Sequence, residues 1–557
     1  MPAKRSSTPA AERPSAMASP SRRQVLAAAG PLTAAALVAS TPGASAQTGA
    51  ASPPAAATQA SPGSRQTRRA RALYIRRQAA QRQLEQEFPE PQSNGDEEQY
   101  PTGIANYSKG LPHNALGEVD PTAYQQLLRA IKSGSPADFD RIPLGGKVKL
   151  ANPQGAFAFE LEGVDPHALV VEAPPRFADE AFAGEMAECY WLALTREIPF
   201  SQYGNEPVTE AAISDLRRFS DFADITPGTL FRADLPGVQT GPYISQFLLQ
   251  PYLFGSAPVE QRYRTTLPGV DYLTAYDAWL AVQNGAPAPD QARFEAQPRY
   301  IHNGRTLGEW VHRNFSYQNT LIAALILLDY VRQFGDAVLG EANPYRGSKT
   351  QAGFVTFGAS HVLDLVARVA NPAQKAAWYQ KWAVHRRIRP EEYGARIHHH
   401  MTGAAQYPIH AKLLDSPALA AVFRQHGTYL CPQAYPEGCP THPAYPGGNA
   451  TFAGAGTAVL KAFFNEDFVI PNPVVPSEDG LSLLPWKGEP LTVGNELNKL
   501  AFNAGFGRNA AGVHFRRDEV RGILLGWGGG RSVVRDFDET YNEDFKGFSP
   551  MDEMQGR

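Results

Sequence analysis

Lys381, His385 and Arg389 recur at four-residue intervals within a stretch, 372–389, whose other periodic residues are apolar. That interval is the period of an α-helix, so the spacing predicts three basic groups on one side of a helix that Pro390 helps to end. A row of cations usually marks a solvated face. Trp382, Ala383, Val384 and Ile388 on the other sides argue against that here. Tetrahedral oxyanions are held by several fixed cations and backbone N–H groups in a dry pocket, and such a row is one wall of that kind of site.

Apolar spacing of three and four also marks 185–198, 321–334, 358–369, 450–464 and 491–504 as helices. The connections between them carry much of the 47 Pro and 49 Gly, and no internal repeat is visible. Residues 65–87 form a charged helical arm with Leu73, Ile75 and Leu84 as its few apolar residues, and 94–120 is an ordered loop. Residues 157–171 alternate loosely and are expected to supply a small strand pair. The chain is therefore expected to be mostly α, with long ordered connections, at most minor strands, and one core spanning 64–557. A net charge of −3 argues against a basic nucleic-acid surface. The longest apolar run in the body, 321–328, is far short of the roughly 20 residues a membrane span needs.

Arg22-Arg23, the small-residue apolar run 25–39 and Ala44-Ser45-Ala46 read as a twin-arginine export signal over 1–46, with a disordered linker at 47–63. Cys431 and Cys439 could bridge, whereas Cys189 reads as a buried small hydrophobe. A zinc site from Cys431, Cys439, His426 and His442 is the weaker alternative, because no paired C-x-x-C accompanies it. His398-His399-His400 reads as a surface or loop feature, since consecutive histidines on a regular element cannot all face one ion.

Two further segments accompany the cation row. One is Tyr445-Pro446-Gly447-Gly448-Asn449-Ala450-Thr451. The other runs from Gly507-Arg508 through Gly512-Val513-His514 to Asp518 and is preceded by Asn495 to Ala501. The order and spacing of all three resemble the anion site of the vanadium-dependent haloperoxidases, shared with related acid phosphatases. The resemblance implies two four-helix bundles with the site inside one of them, and a homodimer. It places Lys381, Arg389 and Arg508 as oxyanion-binding cations, with His514 as the residue that would bond vanadium if vanadate binds. Gly447, Gly448 and Asn449 fall at the opening of a helix whose free N–H groups face the anion. Asp518 is expected to orient or charge-balance the His514 segment.

The middle motif departs from the family's P-S-G-H: Gly447 stands at the serine and Asn449 at the acid/base histidine. Asn449 cannot titrate, and Gly447 removes a hydroxyl whose charge-assisted hydrogen bond is worth about 1.5–3 kcal/mol. The expectation is therefore a member of the vanadium-independent actinomycete branch, working without a cofactor. It would rearrange an α-hydroxyketone by a 1,2-shift on a prenylated naphthoquinone-type meroterpenoid intermediate. His442 is then the base, with His385 and His514 as alternatives, while Lys381, Arg389 and Arg508 polarise the carbonyl. A vanadate-dependent chloro- or bromoperoxidase acting on the same substrate class and a non-catalytic anion-binding relative are the competing readings.

Overall fold

Each segment with helical spacing is helical in the computed structural model, which describes residues 65–548. The expected export signal and linker lie outside the described residues. The principal helices are α1 (Arg65–Glu85), α2 (Glu180–Leu194), α3 (Gly304–Arg313), α4 (Gln318–Phe334), α5 (Ala359–Arg368), α6 (Ala370–Tyr379), α7 (Pro390–Thr402), α8 (Gly448–Phe463), α9 (Val493–Ala510) and α10 (Arg516–Phe537). No helix among the described residues is long and apolar enough to cross a membrane.

The strand expectation was misplaced. Residues 157–171 hold no strand, only a short 3-10 turn at Pro166–Ala168. Phe159 and Leu161 are 84% and 96% exposed, so their alternation faces no partner. The two small antiparallel sheets lie elsewhere. One is β1 (Tyr252–Phe254) with β2 (Ala257–Val259); the other is β3 (Val474–Pro476) with β4 (Leu483–Pro485). The three histidines were also misplaced: they occupy the last turns of α7, where buried His399 meets the Tyr276 hydroxyl at 2.8 Å. Cys189, Cys431 and Cys439 are all buried and unbridged, and no metal-binding cluster occurs among the described residues.

Helix α8 is the centre of the core. It is apolar on every side, as a fully buried helix must be, and α4, α5, α6, α9 and α10 pack around it. Its contact with α10 is made by glycines. A Cβ added at Gly530 would lie 2.5 Å from the Ala455 carbonyl, and one at Gly526 would overlap the Thr451 carbonyl. At the N-terminal end of α10, a Cβ on Gly522 would lie 2.6 Å from the Gly447 carbonyl. Backbone-to-backbone approach therefore fixes the start of α8 against the start of α10.

This packing predicts that Gly526→Ala lowers thermal stability by about 1–3 kcal/mol through overpacking. Gly528→Ala, which would meet only the tip of Leu169, should be neutral or slightly stabilising by comparison. Equal melting temperatures for the two variants would contradict the account.

Candidate active site

The cation row is not the face of one helix. α6 runs into a widened π turn, Gln380–His385, and stops at Arg386, whose backbone is left-handed (φ 39°, ψ 39°). Glu97 holds that turn through two hydrogen bonds to Arg386, at 2.8 and 2.6 Å. Arg389 caps the next helix, and Pro390 starts α7 at its first position rather than ending α6. The break re-aims the row. Lys381 and Arg389 reach the same loop from two elements and share the Pro443 carbonyl, at 2.8 and 3.2 Å.

Both side chains are fully buried, and neither has a carboxylate within 4 Å. Lys381 Nζ donates to Pro443 O and, at 2.6 Å, to Ala444 O, leaving one of its three hydrogens uncommitted. Arg389 donates to the His442 carbonyl and, at 2.6 Å, to Val513 O. Arg508, near the end of α9, is the least engaged of the three. Its Nε has no partner, and its Nη1 lies 3.5 Å from the Tyr435 hydroxyl. Burial, and then the neighbouring Arg389 charge, push the Lys381 pKa well down. Other buried basic groups are arranged differently: Arg387, Lys109, Arg196, Lys499 and Arg516 sit on carboxylates. Arg232 and Arg396 bond backbone carbonyls. Three cations converging without a carboxylate form a charge that a buried oxyanion would complete.

His514 closes this group, held by Asp518. His514 Nδ1 lies 2.8 Å from Asp518 Oδ2, so the ring carries its proton on Nδ1 and leaves the Nε2 lone pair open. Burial, and then Arg389 and Lys381, push its pKa well down, so the ring is neutral. Asp518 also accepts from Arg387 Nη1 (2.7 Å) and Phe515 N (3.0 Å), and its backbone carbonyl accepts from Gly447 N (2.6 Å). Arg387 in turn binds Glu185 at 2.6 Å. Gly447 is the N-cap of α8, and Gly448 begins the helix with only Trp378 near its missing side chain.

His442 occupies the wall beside Arg389, with its ring 4.7 Å from Trp378. Its Nδ1 lies 3.0 Å from Arg389 Nη2, a donor that has no lone pair to offer. Nδ1 also lies 3.1 Å from the Pro443 carbonyl, so it accepts from Arg389 in one tautomer and donates to Pro443 in the other. Burial and the Arg389 and Lys381 charges push its pKa far down, so the ring is neutral. His385 is outside the group: its Nε2 meets Gln380 Oε1 at 3.1 Å and its ring edge meets Tyr445. Asn449 turns toward the end of α3, donating to Val311 O (3.4 Å) and Asn314 Oδ1 (3.2 Å).

Arg387, Trp378, Tyr435 and Asn314 were not found from the sequence. Arg387 lay inside the quoted basic motif, but nothing in its spacing separates a structural arginine from an anion-binding one. The other three carry no motif.

Convergent cations that make no ion pair, beside an open histidine nitrogen in a helical-bundle fold, are the arrangement an oxyanion site requires. Residues 365–543 match the VCPO second helical-bundle domain. The vanadium-dependent bromoperoxidase of Ascophyllum nodosum is 37% identical over 477 residues, covering 80% of this chain and 84% of that protein. The vanadium-dependent bromoperoxidase of Corallina officinalis is 32% identical over 550 residues, covering 82% and 90%. The homohexameric second vanadate-dependent bromoperoxidase of Ascophyllum nodosum superposes with a TM-score of 0.79 at 31% identity, covering 88% of this chain and 89% of that one. The chain belongs to the vanadium haloperoxidase family.

Two outcomes follow. Orthophosphate should raise the melting temperature, and Arg508→Ala should weaken its binding by about 10- to 150-fold, the equivalent of 1.5–3 kcal/mol, while His385→Ala leaves it unchanged. Calorimetric titration reads both, and equal effects would contradict the assignment. The second concerns His385 itself, whose folded pKa burial depresses to about 3 from 6.5. Below pH 6.5 the unfolded chain takes a proton that the folded chain refuses, so stability falls with pH until about 3. His385→Gln should therefore show a shallower loss of stability between pH 6.5 and 4 in chemical denaturation.

Proposed function

We propose that the protein is a vanadate-dependent haloperoxidase of reduced proton-transfer capacity. The single observation that carries this is the set of convergent cations, buried Lys381 and Arg389 with partly buried Arg508, none of them in an ion pair. The relatives favour the same reading: they are named vanadium-dependent bromoperoxidases, which supports a vanadate cofactor over the cofactor-free expectation. Bound vanadate supplies the centre at which peroxide is activated for halide oxidation.

The chain's own residues divide the remaining work. Lys381, Arg389 and Arg508 would hold the oxyanion charges, with the free N–H groups at the start of α8. His514 offers Nε2, and Asp518 keeps that nitrogen deprotonated. His442 lines the wall beside Arg389 as a neutral ring. Asn449 can donate a hydrogen bond but cannot exchange a proton, so its position is where rate is lost. A Cβ at Gly447 would lie 3.0 Å from the Asp518 carbonyl, so a serine there would require that carbonyl to give way.

The metal-free rearrangement of a prenylated α-hydroxyketone is kept as the second reading by one feature, the untitratable amide of Asn449. We also propose export by the twin-arginine route, from the 1–46 segment. An oligomer is proposed as well, on the likeness to a homohexameric bromoperoxidase.

Bromide oxidation with hydrogen peroxide, with and without orthovanadate, is expected to be slow and vanadate-dependent. Asn449→His should raise kcat by about 10²- to 10⁴-fold, the range of general acid–base catalysis. No vanadate-dependent turnover in either protein, together with chelator-resistant conversion of a prenylated α-hydroxyketone, would reverse the order of the two readings.

A further inference from the structure

Arg508 is the cation of the oxyanion group that the fold holds least, so whatever aims it shapes the site. Its one hydrogen-bond partner among the described residues is the Tyr435 hydroxyl, 3.5 Å from Nη1. Its guanidinium carbon lies 5.2 Å from the centre of the same ring. Tyr435 is buried, and its hydroxyl donates to the Gly308 carbonyl at 2.6 Å. The loop that carries it is fixed by Lys109, which donates to the carbonyls of Glu437 and Cys439 at 2.8 and 2.7 Å. His312, in the last turn of α3, stacks on the Tyr435 ring with 3.8 Å between centroids and 10° between planes.

His312 is itself held from both sides. Its Nε2 meets Glu437 Oε1 at 2.5 Å, and its Nδ1 meets Glu309 Oε2 at 3.4 Å. Ionised carboxylates only accept and a neutral imidazole has one N–H, so two such partners require the imidazolium. Burial lowers the His312 pKa, but the hydrogen bonds to Glu309 and Glu437 outweigh it and raise the value from 6.5. The charges around the ring are Glu309 with its partners Arg313 and Arg264, Glu437 from the Tyr435 loop, and Arg508 from α9. On losing its proton the ring keeps one carboxylate and releases the other. The attraction of a cation to the Tyr435 face goes with the charge. His442 and His514, by contrast, are held neutral.

We propose that His312 is a positioning residue: gripped by Glu309 and Glu437, it holds the Tyr435 ring, and Tyr435 in turn aims Arg508 at a bound oxyanion. This assignment rests on the oxyanion reading of the site and adds to it a residue that acts only through Tyr435. Oxyanion affinity is then full while His312 is charged, and falls as pH rises through the folded pKa of His312.

The test is calorimetric titration of sulfate into the full-length chain at pH values on both sides of the His312 transition. Sulfate keeps both charges throughout, so the ligand contributes no step. Lys381, whose pKa burial pushes down, contributes a step common to every protein compared. His312→Gln should bind sulfate about 2- to 30-fold more weakly on the acidic side, the range of a cation–π contact, and lose its share of the pH step. His312→Phe keeps a ring on Tyr435 and should recover part of the affinity without that step. Glu437, whose side chain is 50% exposed, can be changed without disturbing the core, and Glu437→Gln should move the step to lower pH. Wild-type affinity in His312→Gln, binding by His312→Phe as weak as by His312→Gln, or an unmoved step in Glu437→Gln would each overturn the assignment alone. No sulfate binding by the wild type would overturn the oxyanion reading and this assignment with it.

Discussion

Asp518 joins the parts of this protein that matter to its chemistry. One oxygen of its carboxylate takes the His514 ring, the other takes Arg387, and its backbone carbonyl takes the N–H of Gly447. The first contact fixes which His514 nitrogen is free. The second ties the start of α10 to α2 through Glu185, and the third sets the start of α8. The residue is completely buried and forms its ion pair with Arg387, while Lys381, Arg389 and Arg508 make none with it. Those three cations are therefore left for a ligand.

The departure from the family pattern is read most simply at Gly447 and Asn449. Gly447 approaches the Asp518 carbonyl so closely that a side chain there would press on it. The start of α8 is thus packed tightly, at the expense of one hydroxyl donor. Asn449 points away from the cations and into the turn after α3, where its amide bonds two uncharged acceptors. The cations and backbone N–H groups that would hold an anion remain in place despite this pair of changes. Proton transfer does not survive at that position, because only a titrating group can perform it.

Much of the fold was legible because burial writes a period into a helix. α4, α5, α8 and α9 were each located to within a few residues, and α8 was recognisable from its glycine opening. The break after His385 was not legible. A left-handed arginine is fixed by Glu97, 289 residues away in sequence, and no local spacing announces it. Lys381 and Arg389 meet at one loop, but not from the single helix face that their spacing predicts. The contacts of His442 were not legible for a similar reason. Its Nδ1 meets a guanidinium and a carbonyl, which sequence spacing does not reveal. The expected strand pair failed because alternation at 157–171 has no second strand to meet.

The most direct test of the central claim is vanadium-edge anomalous diffraction from crystals of the full chain equilibrated with orthovanadate. The account predicts one vanadium peak per chain, among Lys381, Arg389 and Arg508 and next to His514 Nε2. A peak elsewhere, or none at saturating vanadate, would mean that the loss of the family serine and histidine has ended oxyanion binding as well as proton transfer.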